Sequence, residues 1–428
     1  MEREELRKKV SVIVPSFNMS KYLAMAIESF LKQTLDKKEL ILIDDGSSDS
    51  SLEIAESYAR INCDIVIIKQ NHKGAGAARN CGIQRAQGEY VCFLDADDFY
   101  ASDDALEYLY RLAKRENAII CGGSSADYVD GIIRTEGLRK ERKFLQEQYI
   151  QKENYPGVSG YWAFIFQKQF LVDNKVFFPD YLRGQDAPFF AKAIACAKKV
   201  YCSEKLVYIY RKQHKIVKFD EKKALDLAKS YRDVYLISIE AHMANIQNVV
   251  EEELKGELGA IIYRYSYAGS KKMNTILKEI NSIADKRENQ KDKKKYRLLK
   301  EDSELFFYIQ EVEKEKRLFI TKLKGISRIY IFGAGIIGNK VAYFLEKNQF
   351  FVNAFIVSDT SKNPSVIRTI PVKSIEQIDS QDGDYIVIIA TFWYSQQEIV
   401  NSLLKRNVLN VYLLELCKFF LWQEWIEH

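Results

Sequence analysis

The stretch Tyr90-Val-Cys-Phe-Leu-Asp-Ala-Asp-Asp98 decides the fold class of this chain. Its apolar half predicts a buried β-strand, and three carboxylates, Asp95, Asp97 and Asp98, follow directly. In open α/β sheets, ligands bind at the carboxyl ends of the strands. Clustered carboxylates repel one another unless a cation lies between them, and a hard divalent cation that also binds a diphosphate fits these oxygen ligands. The alternative is an acidic cap for the next helix at Ser102-Asp-Asp104, which does not account for three carboxylates before the turn.

Composition favours a globular protein of about two or three domains. The 428 residues carry a net charge of +5 with Lys and Glu interspersed, so nothing demands nucleic acid as a partner. Because the start Met1–Glu5 is charged and no long apolar run occurs, we expect neither a signal peptide nor a membrane-spanning helix. Seven scattered cysteines without a CxxC pair indicate buried thiols in a reducing cytosol. We expect a cytoplasmic protein; contact with the inner face of the cell membrane and a homo-oligomer stay open.

Strand and helix signals alternate in the N-terminal half of the chain. Runs rich in β-branched and apolar residues begin at Val10, Leu40, Ile65 and Tyr90, and helix-length segments separate them. This spacing predicts βαβ crossovers and a doubly wound, largely parallel sheet in an α/β fold.

Four regions follow from the change in pattern along the chain. Strand signals give way to helical periodicity after residue 219, and a second βαβ pattern begins at Arg328. We predict an α/β domain at 1–219, a helical linker domain at 220–325, a small Rossmann-like domain at 326–416 and an aromatic tail at 417–428. The basic run Lys286–Lys300 could contact anionic lipid, but a solvated helix face or loop is favoured. We expect the tail to pack on its own domain or on a partner subunit, because few cationic residues flank it.

Polar residues follow the first two predicted strands. Pro15 and Asn18 come after the first strand, and Asp44 and Asp45 come after the second. Because an aspartate at a strand end can accept a hydrogen bond from a base or ribose, this edge could hold a nucleoside. A cap-and-turn role for Asp45–Asp49 is the alternative, and both can be true at once.

Arg79 lies at the start of a predicted helix, just after Gly74 and Gly76. Its guanidinium and the N-terminal amides of that helix can bind a phosphate. A surface arginine is the alternative for this position.

Four motifs in this order resemble those of the family 2 glycosyltransferases, which have a GT-A fold with a doubly wound mixed sheet. They are Val10–Asn18 (VSVIVPSFN), Ile43–Ser47 (IDDGS), Asn71–Gly82 (NHKGAGAARNCG) and Gly88–Asp98 (GEYVCFLDADD). The resemblance covers roughly residues 9–215. It implies a nucleotide-sugar donor, usually a UDP-sugar, a Mn²⁺ or Mg²⁺ ion, and inversion at the anomeric carbon.

The resemblance also implies roles for single residues. Asp44 and Asp45 would hold the base and ribose, and Arg79 the phosphates or base of the nucleotide. Asp95 and Asp97 would form the DxD pair, with Asp97 as the direct metal ligand and Asp95 also shared with the ribose. The part played by Asp98 stays open, with capping of the following turn as one alternative.

A catalytic base is implied further along, at Asp186 in Leu182-Arg-Gly-Gln-Asp-Ala-Pro188. Gln185 is a departure from the family pattern, because an acidic residue is frequent there. The chemistry needs one carboxylate to take the proton of the acceptor hydroxyl while the metal stabilises charge on the diphosphate. As the alternative, Asp186 caps the helix that Pro188 enters in its first turn.

Other residues of this half are weaker candidates. Tyr161 or Trp162 could stack on an acceptor sugar, with core packing an equal alternative for Trp162. Arg211 and His214 lie in a stretch that resembles the end of many such domains, and could reach the diphosphate or the metal. For His214, a surface position is an equal alternative.

The C-terminal region carries a strand that enters a helix through Gly333, Gly335 and Gly338, and its second strand ends at Asp359. The pattern is that of a dinucleotide fingerprint. It is similar to small Rossmann-like domains found beside sugar-modifying enzymes. Because a second half is missing, we favour a nucleotide-sugar or regulatory site, or a structural and oligomerising role, over nicotinamide chemistry.

Together these features predict an inverting, metal-dependent glycosyltransferase. Its partners would be a nucleotide-sugar donor and a glycan, lipid-linked or protein acceptor in bacterial surface polysaccharide or glycoprotein glycan synthesis. One alternative is a bifunctional protein with a nucleotide-dependent step in the C-terminal domain. The other is a non-catalytic nucleotide-sugar-binding scaffold.

Overall fold

The computed structural model describes residues 8–129, 131–136, 138–212, 220–255, 257–267, 269–284, 314–379, 384–390 and 393–414. The chain divides into two compact units, residues 1–252 with 271–298 and residues 253–270 with 299–428. The predicted domain boundaries at 219, 325 and 416 stay predictions. His214, the basic run 286–300 and the tail 417–428 lie outside the described residues.

The first unit is built on a ten-stranded sheet with helices at its faces. Its strands are β1 (Val10–Ser16), β2 (Lys38–Asp44), β3 (Ile65–Lys69), β4 (Tyr90–Phe93), β5 (Phe99–Tyr100), β6 (Ile120–Val129), β7 (Ile132–Arg134), β8 (Gln148–Gln151), β9 (Phe164–Gln167) and β10 (Lys199–Arg211). The helices from the start of the chain to residue 284 are α1 (Leu23–Leu31), α2 (Ser51–Ala59), α3 (Ala75–Arg85), α4 (Ala105–Glu116), α5 (Lys168–Asp173), α6 (Asp186–Ala197), α7 (Glu221–Glu240), α8 (Ala244–Lys255), α9 (Glu257–Tyr267) and α10 (Lys271–Ala284). Helices α7 to α10 confirm the helical texture that the periodicity predicts after residue 219.

The sheet is mixed, as the family resemblance implies. Its strand order is β3-β2-β1-β4-β9-β6-β10-β5, with β7 paired to β6 and β8 paired to β10. Strands β1 to β4 are parallel, whereas β9 is antiparallel to both β4 and β6. The parallel half is the doubly wound part that the βαβ spacing predicts.

Close packing of α3 on β1 fixes the helix that carries Arg79. Val12 and Ile13 of β1 are fully buried, as expected for a parallel strand covered on both faces. A Cβ at Gly82 would lie 2.4 Å from Cγ2 of Ile13, so the helix approaches the strand more closely than a larger residue allows.

The second unit holds a six-stranded sheet in the order β13-β14-β12-β11-β15-β16. Its elements are β11 (Arg328–Phe332), α11 (Ile336–Lys347), β12 (Ala354–Val357), β13 (Val366–Ile367), β14 (Ile370–Ser374), β15 (Tyr385–Ile389), α12 (Trp393–Leu404) and β16 (Val411–Leu413), and residues 314–323 are helical. All pairs are parallel except β13 with β14. This is the predicted Rossmann-like arrangement. No helix in the described part of either unit is both long and apolar enough to cross a membrane.

Candidate active site

Three parallel strands bring their carboxyl ends to one edge of the first sheet. Ser16 pairs with Asp44 across β1 and β2, and Ile13 pairs with Phe93 across β1 and β4. The polar residues after each strand therefore meet at this edge, as the sequence predicts.

Both carboxylate oxygens of Asp98 are bonded to residues of β10. Its carboxylate is 1% exposed; Oδ2 lies 2.7 Å from the hydroxyl of Tyr208, and Oδ1 accepts a hydrogen bond from the Arg211 N–H at 2.7 Å. The Tyr208 hydroxyl also accepts a hydrogen bond from the Asp95 N–H at 3.1 Å. The Arg211 Nε donates to the Asp97 carbonyl at 2.8 Å. Strand β10 thus holds the acidic turn through both backbone and side-chain contacts.

Asp97 carries a negative charge that its surroundings disfavour. Burial, and after it the charge of Asp95, raises the pKa of Asp97 to about 6, although Arg211 and Arg79 act in the opposite direction. A divalent cation would relieve this repulsion, and carboxylate oxygens are its preferred ligands. Asp95 and Asp97 therefore fit the predicted metal. No group of three His, Cys, Asp or Glu side chains is arranged for a metal within the described residues, and the predicted ligand His214 lies outside them.

Arg79 is buried, and the alternative of a surface arginine is wrong. Its side chain is 7% exposed, and Nη2 donates to Oδ1 of Asp95 at 2.6 Å. The rings of Tyr161 and Phe178 lie 5.6 and 5.4 Å from the guanidinium carbon. Burial opposes the charge, but Tyr161, Asp95 and Asp186 raise the pKa of Arg79. Nε and Nη1 are buried and bond no described group, so two donors of this guanidinium are left unsatisfied.

Asp44 presents one unpaired oxygen at the same edge. Oδ2 accepts from the Ser47 N–H at 3.3 Å, whereas Oδ1 is buried without a partner among the described residues. The hydroxyl of its strand neighbour Ser16 is also buried and unpaired there. A buried unpaired polar atom is costly, which is the property expected of a group that binds a ligand.

Asp45 holds the segment 70–74 in place. Its Oδ1 accepts from the side chain of Gln70 at 2.6 Å and from the Lys73 N–H at 2.8 Å, and Oδ2 accepts from the Gly74 N–H at 2.8 Å. Nδ1 of His72 lies 3.0 Å from Oδ2 of Asp45. These contacts support the turn role, and the predicted nucleoside contact of Asp45 stays a prediction.

The segment after β1 shapes the rim of this edge. Pro15 lies inside β1, where it pairs with Ile43, so the prediction that it follows the first strand is wrong. Asn18 does follow the strand and has a positive φ of 55°. The Asn18 Oδ1 accepts from the Ser48 N–H at 2.8 Å, which connects the segments that follow β1 and β2.

Asp186 is the first residue of α6, where the N-cap residue is Gln185 without a side-chain cap bond. The alternative of Asp186 as the cap is therefore wrong. The charge of Asp186 contributes to the raised pKa values of both Arg79 and Tyr161, so its carboxylate lies within electrostatic range of these two side chains. Its neighbour Arg183 is exposed.

Tyr161 and Trp162 are core residues, 2% and 8% exposed, so the expectation of an exposed sugar platform is wrong. Trp162 stacks on Tyr208 with 4.4 Å between ring centroids and on Tyr210 with 5.6 Å. The alternative of core packing describes Trp162 correctly. Its contact with Tyr208 supports the residue that bonds Asp95 and Asp98.

The three glycines where β11 leads into α11 form a tight strand-to-helix turn. Gly333 has a φ of +108°. A Cβ at Gly338 would lie 1.8 Å from the Gly333 carbonyl oxygen, whereas Gly335 has open space around it. The Asp359 side chain accepts hydrogen bonds from the Ser361 N–H and hydroxyl at 2.9 and 2.6 Å. A ligand for this turn stays a prediction.

Two residues of the site are missed by motif reasoning. Tyr208 bridges Asp95 and Asp98, and the amide of Asn80 bonds both the N–H and the carbonyl of Phe178 at 2.9 and 2.8 Å. Asn80 lies inside the motif Asn71–Gly82, one position after Arg79, but the motif by itself assigns it no role.

Comparisons with known proteins identify the class of protein to which this chain belongs. Residues 11–171 match Glycosyl transferase family 2. The chain is 31% identical to the uncharacterized glycosyltransferase EpsJ of Bacillus subtilis strain 168, over 52% of this chain and 67% of that relative. It is 26% identical to the poly(ribitol-phosphate) beta-N-acetylglucosaminyltransferase TarS of Staphylococcus aureus, over 65% of this chain and 49% of that relative.

A solved structure agrees with the fold. S. aureus TarS 1–349 in complex with UDP-GlcNAc superposes with a TM-score of 0.51 at 20% identity, over 65% of this chain and 84% of that one. The fold and the relatives together define a glycosyltransferase. The chain belongs to glycosyltransferase family 2.

Proposed function

We propose that this enzyme transfers a sugar from a UDP-sugar to a hydroxyl group with inversion at the anomeric carbon. The acceptor would be a glycan, a lipid-linked sugar or a protein in the synthesis of bacterial surface polysaccharide or glycoprotein glycans. Relatives named for transfer to poly(ribitol-phosphate), and a TarS structure that contains UDP-GlcNAc, support this proposal.

The observation that carries the proposal is the position of Arg79. Its guanidinium bonds Asp95 of the acidic turn, and Asp186 acts on the same guanidinium. One buried cation thus bonds a predicted metal-binding residue and lies within electrostatic range of the predicted base. The diphosphate of a donor would be bound between them by the two unpaired nitrogens of Arg79.

The donor would be held by residues of three strand ends. The unpaired Oδ1 of Asp44 can accept the N–H of a uracil base, and Asp95 and Asp97 would bind a Mn²⁺ or Mg²⁺ ion. That ion would supply charge neutralisation for the leaving diphosphate.

Asp186 would act as the general base. Its carboxylate takes the proton of the acceptor hydroxyl as that oxygen forms a bond to the anomeric carbon from the face opposite the diphosphate. The bond between the anomeric carbon and the phosphate oxygen breaks, and its electron pair leaves with UDP. Attack from the opposite face inverts the anomeric configuration.

A donor and acceptor screen tests the proposal. UDP-glucose, UDP-galactose and UDP-GlcNAc are each incubated with MnCl₂ and with simple alkyl glycosides or glycerol phosphate as acceptor probes, and UDP release is measured. We expect release with at least one donor, and its loss when EDTA removes the metal. UDP release that persists after EDTA removes the metal would contradict the proposal, as would the absence of UDP release from all three donors.

A further inference from the structure

Helix α7, predicted as part of a linker domain, contacts the backbone of the loop that leads into Asp186. The Asp226 Oδ2 accepts a hydrogen bond from the Leu182 N–H at 3.0 Å, and the Ser230 hydroxyl donates to the Gly184 carbonyl at 2.6 Å. The helix therefore fixes the loop at two points, four and two residues before the predicted base.

These contacts lie on one face of the helix. A third contact, from the Tyr181 hydroxyl to Oδ2 of Asp233 at 2.5 Å, comes from the next turn. Positions 226, 230 and 233 recur at helical spacing, so a single helix face meets the loop from residue 181 to residue 184.

Asp226 and Ser230 are buried polar residues, 5% and 2% exposed. Burial of a polar side chain is unfavourable unless it is hydrogen-bonded, so both side chains depend on their loop partners. Lys229 balances the charge of Asp226 at 2.8 Å. An apolar face would suffice for packing alone, whereas these two side chains restrict the loop backbone.

The loop conformation depends on the same contact. Gly184 has a φ of +78°, and a Cβ there would lie 3.0 Å from both Cβ and Oγ of Ser230. The turn therefore needs glycine for its backbone and for the close approach of the helix. Gln185 and Asp186 follow it directly, at the start of α6.

We propose that Asp226 and Ser230 are positioning residues for sugar transfer. By holding the backbone at Leu182 and Gly184, they set the direction in which Asp186 meets the acceptor hydroxyl. The inference rests on the proposed function of Asp186 as the base. Misplacement of a catalytic group by about 1 Å can lower a rate by about 100-fold, so a helix outside the mixed sheet contributes to catalysis through this loop.

Ser230→Ala tests the proposal, with Ser238→Ala as the matched control. Ser238 is also a buried serine of α7, but its hydroxyl donates to the Tyr235 carbonyl inside the helix. With the donor and acceptor that the screen selects, we expect Ser230→Ala to lower kcat by about 10-fold or more. The KM for the UDP-sugar and the Kd for UDP with Mn²⁺ should stay within about twofold of wild type, and Ser238→Ala should change none of these values.

Conservative replacement separates positioning from folding. Asp226→Asn keeps an oxygen that can accept the Leu182 N–H, so it should retain a higher kcat than Asp226→Ala. Active-site titration with UDP and Mn²⁺ corrects each kcat for the folded fraction.

Three results would overturn the inference. One is an equal kcat for Ser230→Ala and Ser238→Ala. Another is a decrease in the kcat of Ser230→Ala that disappears once kcat is corrected for the folded fraction. If Asp186→Asn is inactive in either case, the proposed function stands and only the positioning role fails. The third is full turnover by Asp186→Asn, which contradicts the proposed base and the positioning role together.

Discussion

Nη2 of Arg79 donates a 2.6 Å hydrogen bond to Oδ1 of Asp95, and this pair joins helix α3 to the acidic turn after β4. The arginine is almost fully buried, whereas Asp95 is 24% exposed and faces the carboxyl edge of the sheet. The pair therefore fixes a cation beside the predicted metal-binding residues while leaving the carboxylate accessible.

Arg79 and Asp95 should be coupled in stability. A double-mutant cycle with Arg79→Met and Asp95→Asn, measured by urea unfolding, should give a coupling energy of about 1 kcal/mol or more, because the arginine is buried. The exposed pair Lys69–Glu56, at 2.7 Å, is the control and should give less than about 0.5 kcal/mol. Equal coupling in the two pairs would show that burial adds nothing to the first.

Asp97→Ala should abolish metal-dependent turnover. Loss of this carboxylate removes the predicted direct metal ligand, so UDP release should fall by about 100-fold or more and the thermal shift caused by Mn²⁺ should disappear. Asp103→Ala is the matched control, because Asp103 is an exposed aspartate of the same segment. Wild-type activity in Asp97→Ala would remove the metal role from this residue.

Stabilisation by Mn²⁺ should depend on pH. The pKa of Asp97 is raised from 3.8 to about 6, so its carboxyl group holds a proton more tightly in the folded state than in the unfolded state. The stability that this group contributes is complete below pH 4 and is lost as the pH rises through about 6. Because Mn²⁺ competes with that proton, its effect on Tm should be larger near pH 7.5 than near pH 5. Thermal unfolding of wild type and Asp97→Asn checks this, and a pH-independent shift in wild type would count against it.

Asn80→Ala should destabilise the first unit. The amide of Asn80 bonds both backbone groups of Phe178, and its loss leaves them unpaired at a cost of about 1–2 kcal/mol. Asn174→Ala is the control, because among the described residues the Asn174 side chain donates to a single local group, the Phe170 carbonyl of the preceding helix α5, at 2.9 Å. In urea unfolding, Asn80→Ala should have a clearly lower free energy of unfolding than the control. Equal values would show that the two bonds from Asn80 to Phe178 do not stabilise the protein.

Much of the fold could be predicted because it depends on local patterns. The apolar run before Asp95 reads as a strand without knowledge of its neighbours, and the spacing to Val10 and Leu40 predicts a parallel arrangement. The antiparallel strand β9 between β4 and β6 could not be read in the same way, because pairing of Val91 with Phe166 is a contact between distant segments.

The residues of the site also differ in whether the sequence predicts them. Asp95, Asp97 and Arg79 lie in short motifs beside glycines and strand ends, so the sequence names them directly. Tyr208 reaches Asp98 from 110 positions away, and Ser230 reaches Gly184 from 46 positions away in a helix with ordinary periodicity. Such contacts depend on tertiary packing, which also makes Trp162 a core residue rather than a sugar platform.

The most direct test of the account is the comparison of Asp186→Asn with wild type. With the selected UDP-sugar, acceptor and Mn²⁺, UDP release should fall by about 1000-fold, because the acceptor hydroxyl loses its base. Calorimetric titration with UDP and Mn²⁺ should give the wild-type Kd, because Asp186 is assigned to the acceptor and not to the nucleotide. Wild-type UDP release by Asp186→Asn would contradict the central claim.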